Sequence, residues 1–317
     1  VAEDVSLLYA AVTLFGRESQ VKVVIEDDYD HVAEITKDGY IIQKNARAER
    51  GEVASLEGIS LEDMVRFAAQ VDLAQIAFLL QGAETNKKAA LAGLESGRGS
   101  TLGLALWREA PGNENKMWAA YAKARAYTAA AAEARMSGMK VPITAVAGSG
   151  NHGITALLGV LAVAEVEEIE QEKLARALSL CSLVTIYIKS LTNRLTAFCG
   201  CGAAAATGVA AAITWLLGGN CRQIGHAMQS VIGSITGMIC DGAKESCAFK
   251  VSVAAGEAVL VSYLSLMGSY IHSKAGIVAQ DILDSMENLG KISDPGMKET
   301  DKVILEIIRN MEQEKPA

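Results

Sequence analysis

Between Arg194 and Arg222 the chain carries no Asp, Glu, Lys or Arg, and residues 141–164 are equally free of them. Runs of that length have two physical destinations. They can cross a bilayer, which takes about 20 residues of helix, or they can form the interior of a helical protein. Both runs are built largely from Ala, Gly, Ser and Thr, which drive membrane insertion weakly. Neither has aromatic belts at both ends or a clear Lys/Arg asymmetry. The expectation is a buried helical core, with no membrane partner.

Composition supports that choice. Half of the 317 residues are hydrophobic but only 5% are aromatic, and 4 prolines stand against 29 glycines, which suits helices packed closely through small side chains. The length allows one large domain or two smaller ones. A net charge of −8 without a basic run argues against a nucleic-acid surface. Residues 1–20 lack a basic start, apolar core and cleavage site, so no signal peptide is expected. Six cysteines in that context read as cytosolic thiols or metal ligands rather than disulfides, and the expected location is cytoplasmic.

Along the chain, residues 5–15 (VSLLYAAVTLF) look like an amphipathic helix. Val21–Glu26, His31–Thr36 and Tyr40–Gln43 are strand-like, with a hairpin turn at Lys37-Asp38-Gly39. From about residue 60 the pattern is helical, opening on a capping box of Ser60 and Asp63. Residues 72–92 continue as helix with turns near Gly82 and Gly93. Further helices are expected over Asn115–Met136, Ile154–Val166, Glu172–Ile188, Gly202–Leu217, Gln223–Ile239 and Lys250–Met267. Asp301–Met311 closes the chain with Val303, Ile304, Ile307, Ile308 and Met311 on its apolar side. The fold class is α+β, mostly α: a small N-terminal helix/strand unit over residues 1–55, then a large Ala/Gly-rich helical domain over 56–317. The small-residue surfaces could also serve a homo-oligomer interface.

Chemistry concentrates where polarity interrupts the apolar background. Cys240-Asp241-Gly242-Ala243-Lys244-Glu245-Ser246-Cys247 sets two thiols, two carboxylates and an ammonium in eight residues, and Cys199-Gly200-Cys201 adds two thiols upstream. Charge inside an apolar region is costly unless compensated. Thiolates are ligands for zinc and for iron–sulfur clusters, yet these spacings match no common local fingerprint, and buried free cysteines at helix ends remain the alternative. Lys244 and Lys250 could offset the negative charge of a thiolate-bound cluster. The loop 147–153 (AGSGNHG) precedes an apolar helix, so its amides and the helix start could receive a substrate carboxylate; a tight helix–helix connection would look the same. Cys181 reads as a small core hydrophobe. Arg194 opens the uncharged run, and either reaches solvent or pairs with an anion.

Four stretches together carry a family resemblance: EARMSG (133–138), GSGNHGI (148–154), RLTAFC (194–199) and MICDGAKESCAFK (238–250). With them the chain resembles the iron–sulfur L-cysteine desulfidases and their close relatives, which are related to the α chain of iron–sulfur L-serine dehydratase. The likeness runs from the β unit to the closing helix and marks 56–317 as a serine-dehydratase-α-like domain. It implies a [4Fe–4S] cluster held by Cys199, Cys240 and Cys247, with Cys201 the alternative to Cys199, and no pyridoxal phosphate. Family members carry a further segment ahead of the β unit with a Gly-Cys-Thr-Glu-Pro motif. That motif does not occur here, and the chain starts at Val1. The expectation is therefore a truncated chain, with residues 1–55 the remainder of a longer N-terminal domain, and a general base that could lie in the absent segment.

The resemblance implies β-elimination from a small-molecule amino acid: L-cysteine to sulfide, ammonia and pyruvate, or L-serine by the same frame. Ser149, Asn151, Arg135 and Arg194 are the candidates for holding the substrate. Asp241, Lys244, Lys250 and His152 are the candidates for moving protons or orienting the cluster. A non-catalytic iron–sulfur or ligand-binding protein is the alternative.

Overall fold

The computed structural model describes residues 9–27, 31–46, 56, 58–109, 114–192 and 195–313. The chain divides into two compact units, Val1–Glu57 and Gly58–Ala317.

In the first unit, four strands run antiparallel in chain order: β1 (Tyr9–Phe15), β2 (Gln20–Glu26), β3 (Val32–Lys37) and β4 (Tyr40–Lys44). The helix expected over residues 5–15 is replaced, in its described part, by β1. Its residues pair one for one with β2, from Tyr9 opposite Glu26 to Phe15 opposite Gln20. Tyr9, Val12, Thr13 and Phe15 suit a strand, and pairing with β2 overrides the helix propensity of Ala10, Ala11 and Leu14; residues 5–8 lie outside the described residues. The β3–β4 hairpin turns where expected. Asp38 and Gly39 both take positive φ, 52° and 85°, as a turn matched to strand twist requires.

The second unit is helical. Its elements are α1 (Leu61–Gln70), α2 (Leu73–Ile76), α3 (Phe78–Ser96), α4 (Leu102–Glu109), α5 (Lys116–Met136), α6 (Gly150–Val166), α7 (Gln171–Leu191), α8 (Ala206–Leu216), α9 (Cys221–Ile235), α10 (Cys247–Leu266), α11 (Ile282–Lys291) and α12 (Lys298–Gln313). A π turn over Cys201–Ala205 leads into α8. The Ser60–Asp63 capping box opens α1 as expected, with the Asp63 amide donating to Ser60 Oγ at 3.1 Å.

The uncharged runs form the core. Residues 151–164 of α6 and 201–214 through α8 are buried throughout. Alanine-rich α5 packs among α3, α4, α6 and α10. Close approach sets the residue choice: a Cβ at Gly93 would sit 2.2 Å from the Ala130 carbonyl oxygen. Gly82 and Gly93 thus do not break the helix as expected but lie inside α3, where they admit its neighbours. By length and composition alone α7 and α10 could each cross a membrane; 61% and 56% of their apolar windows are buried inside the unit. On α12, Ile304 and Ile308 are half-buried while Val303, Ile307 and Met311 are exposed.

Candidate active site

Two segments far apart in sequence are joined by a short antiparallel bridge between Phe198 and Ile239. The Cys199 N–H donates to the Met238 carbonyl at 2.6 Å, and the Cys240 N–H donates to the Ala197 carbonyl at 2.7 Å. Phe198 is fully buried and anchors the bridge. Side chains alternate across such a pair, so Cys199 and Cys240 share the face opposite Phe198. They are diagonal neighbours, a relation that sets residues about 7–8 Å apart.

Cys247 joins them from the start of α10. Its Sγ accepts from the Lys244 N–H and donates to the Gly242 carbonyl, both at 3.5 Å, which closes the turn between the two cysteines. Lys250 lies one turn into α10 and forms an ion pair with Asp241. Burial opposes both charges, but the pair prevails: Asp241 is held below its ordinary pKa and Lys250 above it, the latter helped by the Cys199 and Cys247 sulfurs.

Cys199 and Cys201 share a hydrogen bond. It lowers the Cys199 pKa, with support from the Cys201 and Gly202 amides and from Lys250. The same bond, with burial, raises Cys201. Burial also raises Cys240.

The glycine-rich loop meets this thiol group directly. Reciprocal backbone bonds between Val146 and Ser149, at 3.2 and 3.1 Å, close the loop, and Ser149 caps α6. Arg135 Nη1 donates to Asn151 Oδ1 at 2.7 Å, and the guanidinium lies across Gly150. His152 is buried, with Nδ1 left without a hydrogen-bond partner. Its other ring nitrogen faces Gly200, where a Cβ would lie only 2.3 Å from Nε2. Only glycine lets the Cys199–Cys201 turn seat itself on the first turn of α6.

Ser149, Asn151, Arg135 and His152 are thus gathered at the start of α6, Cys199, Cys201, Cys240, Cys247, Asp241 and Lys250 around the bridge, and His152 meets the cysteine turn at Gly200. Lys244 offers its amide to the site but its side chain is exposed. Arg194 lies outside the described residues.

Two further residues belong here that the sequence pattern did not name as site residues, although Glu133 opens the EARMSG stretch. Lys189, in the last turn of α7, is close enough to Cys240 and Cys201 to feel their charge. Burial lowers its pKa to about 8 against their opposing pull. Burial and then Lys189 lower His152 to about 4. Glu133 is 2% exposed and accepts from Ser100 Oγ, the Leu102 amide and the Gly103 amide at 2.6, 2.7 and 3.1 Å. It pins the start of α4 to the end of the helix that carries Arg135.

Among the described residues no group of three or more His, Cys, Asp or Glu side chains is arranged to hold a single metal ion. A cubic iron–sulfur cluster takes its thiolates at separate corners, and wider spacing suits it. The donor set also fits: sulfur ligands, two nearby lysines, and an aspartate already paired to one of them. Cys199, Cys240 and Cys247 could hold such a cluster.

A helical unit whose polar chemistry centres on gathered thiols beside a glycine-rich helix start is the class defined by fold and site. The chain belongs to the serine dehydratase alpha chain family, whose model matches residues 21–306. That family groups it with lyase-type enzymes of amino-acid catabolism. It is 47% identical over 312 residues to the UPF0597 protein of Methanocella arvoryzae, a match covering 97% of this chain and 72% of the relative. The UPF0597 proteins of Parabacteroides distasonis and Caldanaerobacter subterraneus subsp. tengcongensis are 39% and 36% identical, each match covering 96% of this chain and 72% of the relative.

Proposed function

We propose that the protein is a [4Fe–4S]-dependent, pyridoxal-phosphate-independent lyase that eliminates sulfide from L-cysteine, giving ammonia and pyruvate. The observation that carries this reading is the Phe198–Ile239 bridge, which turns Cys199 and Cys240 to one face beside Cys247. When bound, a cluster held by three thiolates supplies an open iron as a Lewis acid.

The chain's own residues do the rest. Arg135 and Asn151, with the positive end of α6, receive the substrate carboxylate, and Ser149 borders the same space. His152 turns Nε2 toward Gly200 of the cysteine turn and is the candidate for moving a proton there. The Asp241–Lys250 pair holds a cation against the Cys199 and Cys247 sulfurs, and Lys244 stands at the rim. Loss of the α-proton and of sulfide leaves an enamine, which becomes an imine and hydrolyses to pyruvate and ammonia. L-Serine fits the same frame with water as the leaving group. A ligand-binding iron–sulfur protein without turnover is the second reading. The protein is read as cytoplasmic, acting on a small-molecule amino acid without nucleic-acid or membrane partners.

Anaerobic purification followed by iron and sulfide counting tests the cluster. About four of each per chain is expected, lost in Cys240→Ala; a protein without iron under those conditions overturns the reading. Sulfide and pyruvate release from L-cysteine, beside pyruvate release from L-serine, separates the substrates and exposes an inert protein.

A further inference from the structure

A cavity of about 440 Å³ opens at the N-terminal end of α9. At 1.5 Å rise per residue, the length of α9 puts it about 20 Å from the segment that leads into Cys240. Its size falls within the range of small-molecule sites. The first turns of α1, α9 and α11 all line it; each is capped by its own side chain, Ser60, Asn220 and Asp281, and only that of α9 carries no acidic residue.

The side chains add charges of both signs. Arg222, His226 and His272 stand on the cavity wall, with Tyr270 stacked on His226 at 3.6 Å between ring centres and edge-on to His272. Burial makes His226 harder to protonate than an ordinary histidine, and Arg222 and His272 add to the effect by crowding it with positive charge. Such crowding is relieved by an anion. Glu62 and Asp281 line the same cavity and offer the opposite charge. Asp281 also caps α11, accepting from the Leu283 amide at 2.8 Å.

We propose that this cavity is a second small-molecule site, which takes the zwitterion of an α-amino acid. Arg222 and the start of α9 receive its carboxylate, Glu62 and Asp281 its ammonium, and Tyr270 forms an apolar wall. The site is independent of the cysteine loops and does not rest on the cluster.

The test is calorimetric titration of the anaerobically purified protein with L-alanine, which has the amino-acid frame but no group to eliminate. Arg222→Gln and Glu62→Gln change exposed side chains, and their thermal midpoints check the fold. Each is expected to weaken binding about tenfold or more, the loss of one charge-assisted bond. Arg135→Gln, at the other site, is expected to leave this binding in place. Acetate and methylamine, each carrying half of the zwitterion, are expected to bind far more weakly. The proposal is overturned if L-alanine does not bind at millimolar concentration, if both cavity variants titrate like the parent, or if acetate binds as well as L-alanine.

Discussion

Replacing Glu133 with glutamine should destabilise the helical unit by an amount that its three hydrogen bonds allow to be worked out. The carboxylate is 2% exposed and meets only donors: Ser100 Oγ, the Leu102 amide and the Gly103 amide. A glutamine keeps one accepting oxygen and gains an NH₂ that only donates, so at least one donor is left facing another donor. Losing a hydrogen bond to a charged group costs about 1.5–3 kcal/mol. Removing negative charge from the start of α4 adds about 0.3–1 kcal/mol. The expected loss is about 2–4 kcal/mol, or about 5–10 °C in Tm for a unit of this size. Ser100→Ala removes one donor and keeps both amides satisfied, so about 1 kcal/mol is expected. Urea unfolding followed by circular dichroism gives the energies, and hydrogen exchange at Leu102 and Gly103 locates them. If Glu133→Gln unfolds within about 0.5 kcal/mol of the parent, the size of an ordinary surface change, the carboxylate does not hold α4.

Glu165 accepts from Lys87 at 2.7 Å and Lys123 at 2.6 Å in a half-buried setting. Burial raises its pKa, but the two lysines more than reverse that and hold it below the ordinary value, so its stabilisation is present above the usual glutamate range and is lost as pH falls through the lowered pKa. The stability gap between parent and Glu165→Gln should therefore be full at pH 7 and shrink at pH 3, as urea midpoints at the two pH values would show. Arg176 Nη1 donates to the Ala68, Ala69 and Val71 carbonyls at the end of α1; Arg176→Met should cost about 2–3 kcal/mol and speed amide exchange in the last turn of that helix. Gly200→Ala forces His152 or the cysteine turn to move, with an overpacking cost of about 1–3 kcal/mol. Thermal unfolding measures that cost, and iron content after anaerobic purification should fall with it; a variant matching the parent in both would refute the close contact.

Local chemistry was legible in the sequence where it is self-contained. The Asp38-Gly39 turn and the Ser60–Asp63 cap depend on residues a few positions apart, and both stand as expected. Long uncharged runs announced the core because burial leaves little room for unpaired charge. The segment Tyr9–Phe15 looks helical in sequence because Ala and Leu are strong helix formers, but the neighbouring strand decides the outcome. Glycines 82 and 93 were misread as breaks because tolerance of close packing looks the same in sequence as tolerance of a turn. Nothing in the spacing of Cys199 and Cys240 shows that they share a face; that relation exists only through the Phe198–Ile239 bridge, and without it only the family resemblance links them. Lys189 reads as an ordinary solvated lysine near a helix end, and Glu133 as a stray charge in an alanine run. Their partners come from other helices and loops.

The bridge also bears on the order in which the site assembles. Between its two strands lie only the π turn, α8 and α9, so joining Cys199 to Cys240 closes a single helical hairpin. Closure cost grows slowly with loop length, and contacts near in sequence tend to form early. Cys199, Cys240, Cys247 and Lys250 all belong to one continuous stretch of chain, whereas Arg135, Ser149, Asn151 and His152 arrive on upstream helices. The thiol half can therefore be complete before the half carried by α5 and α6 has docked. The two halves are then separate products of folding, joined at the contact of His152 with Gly200.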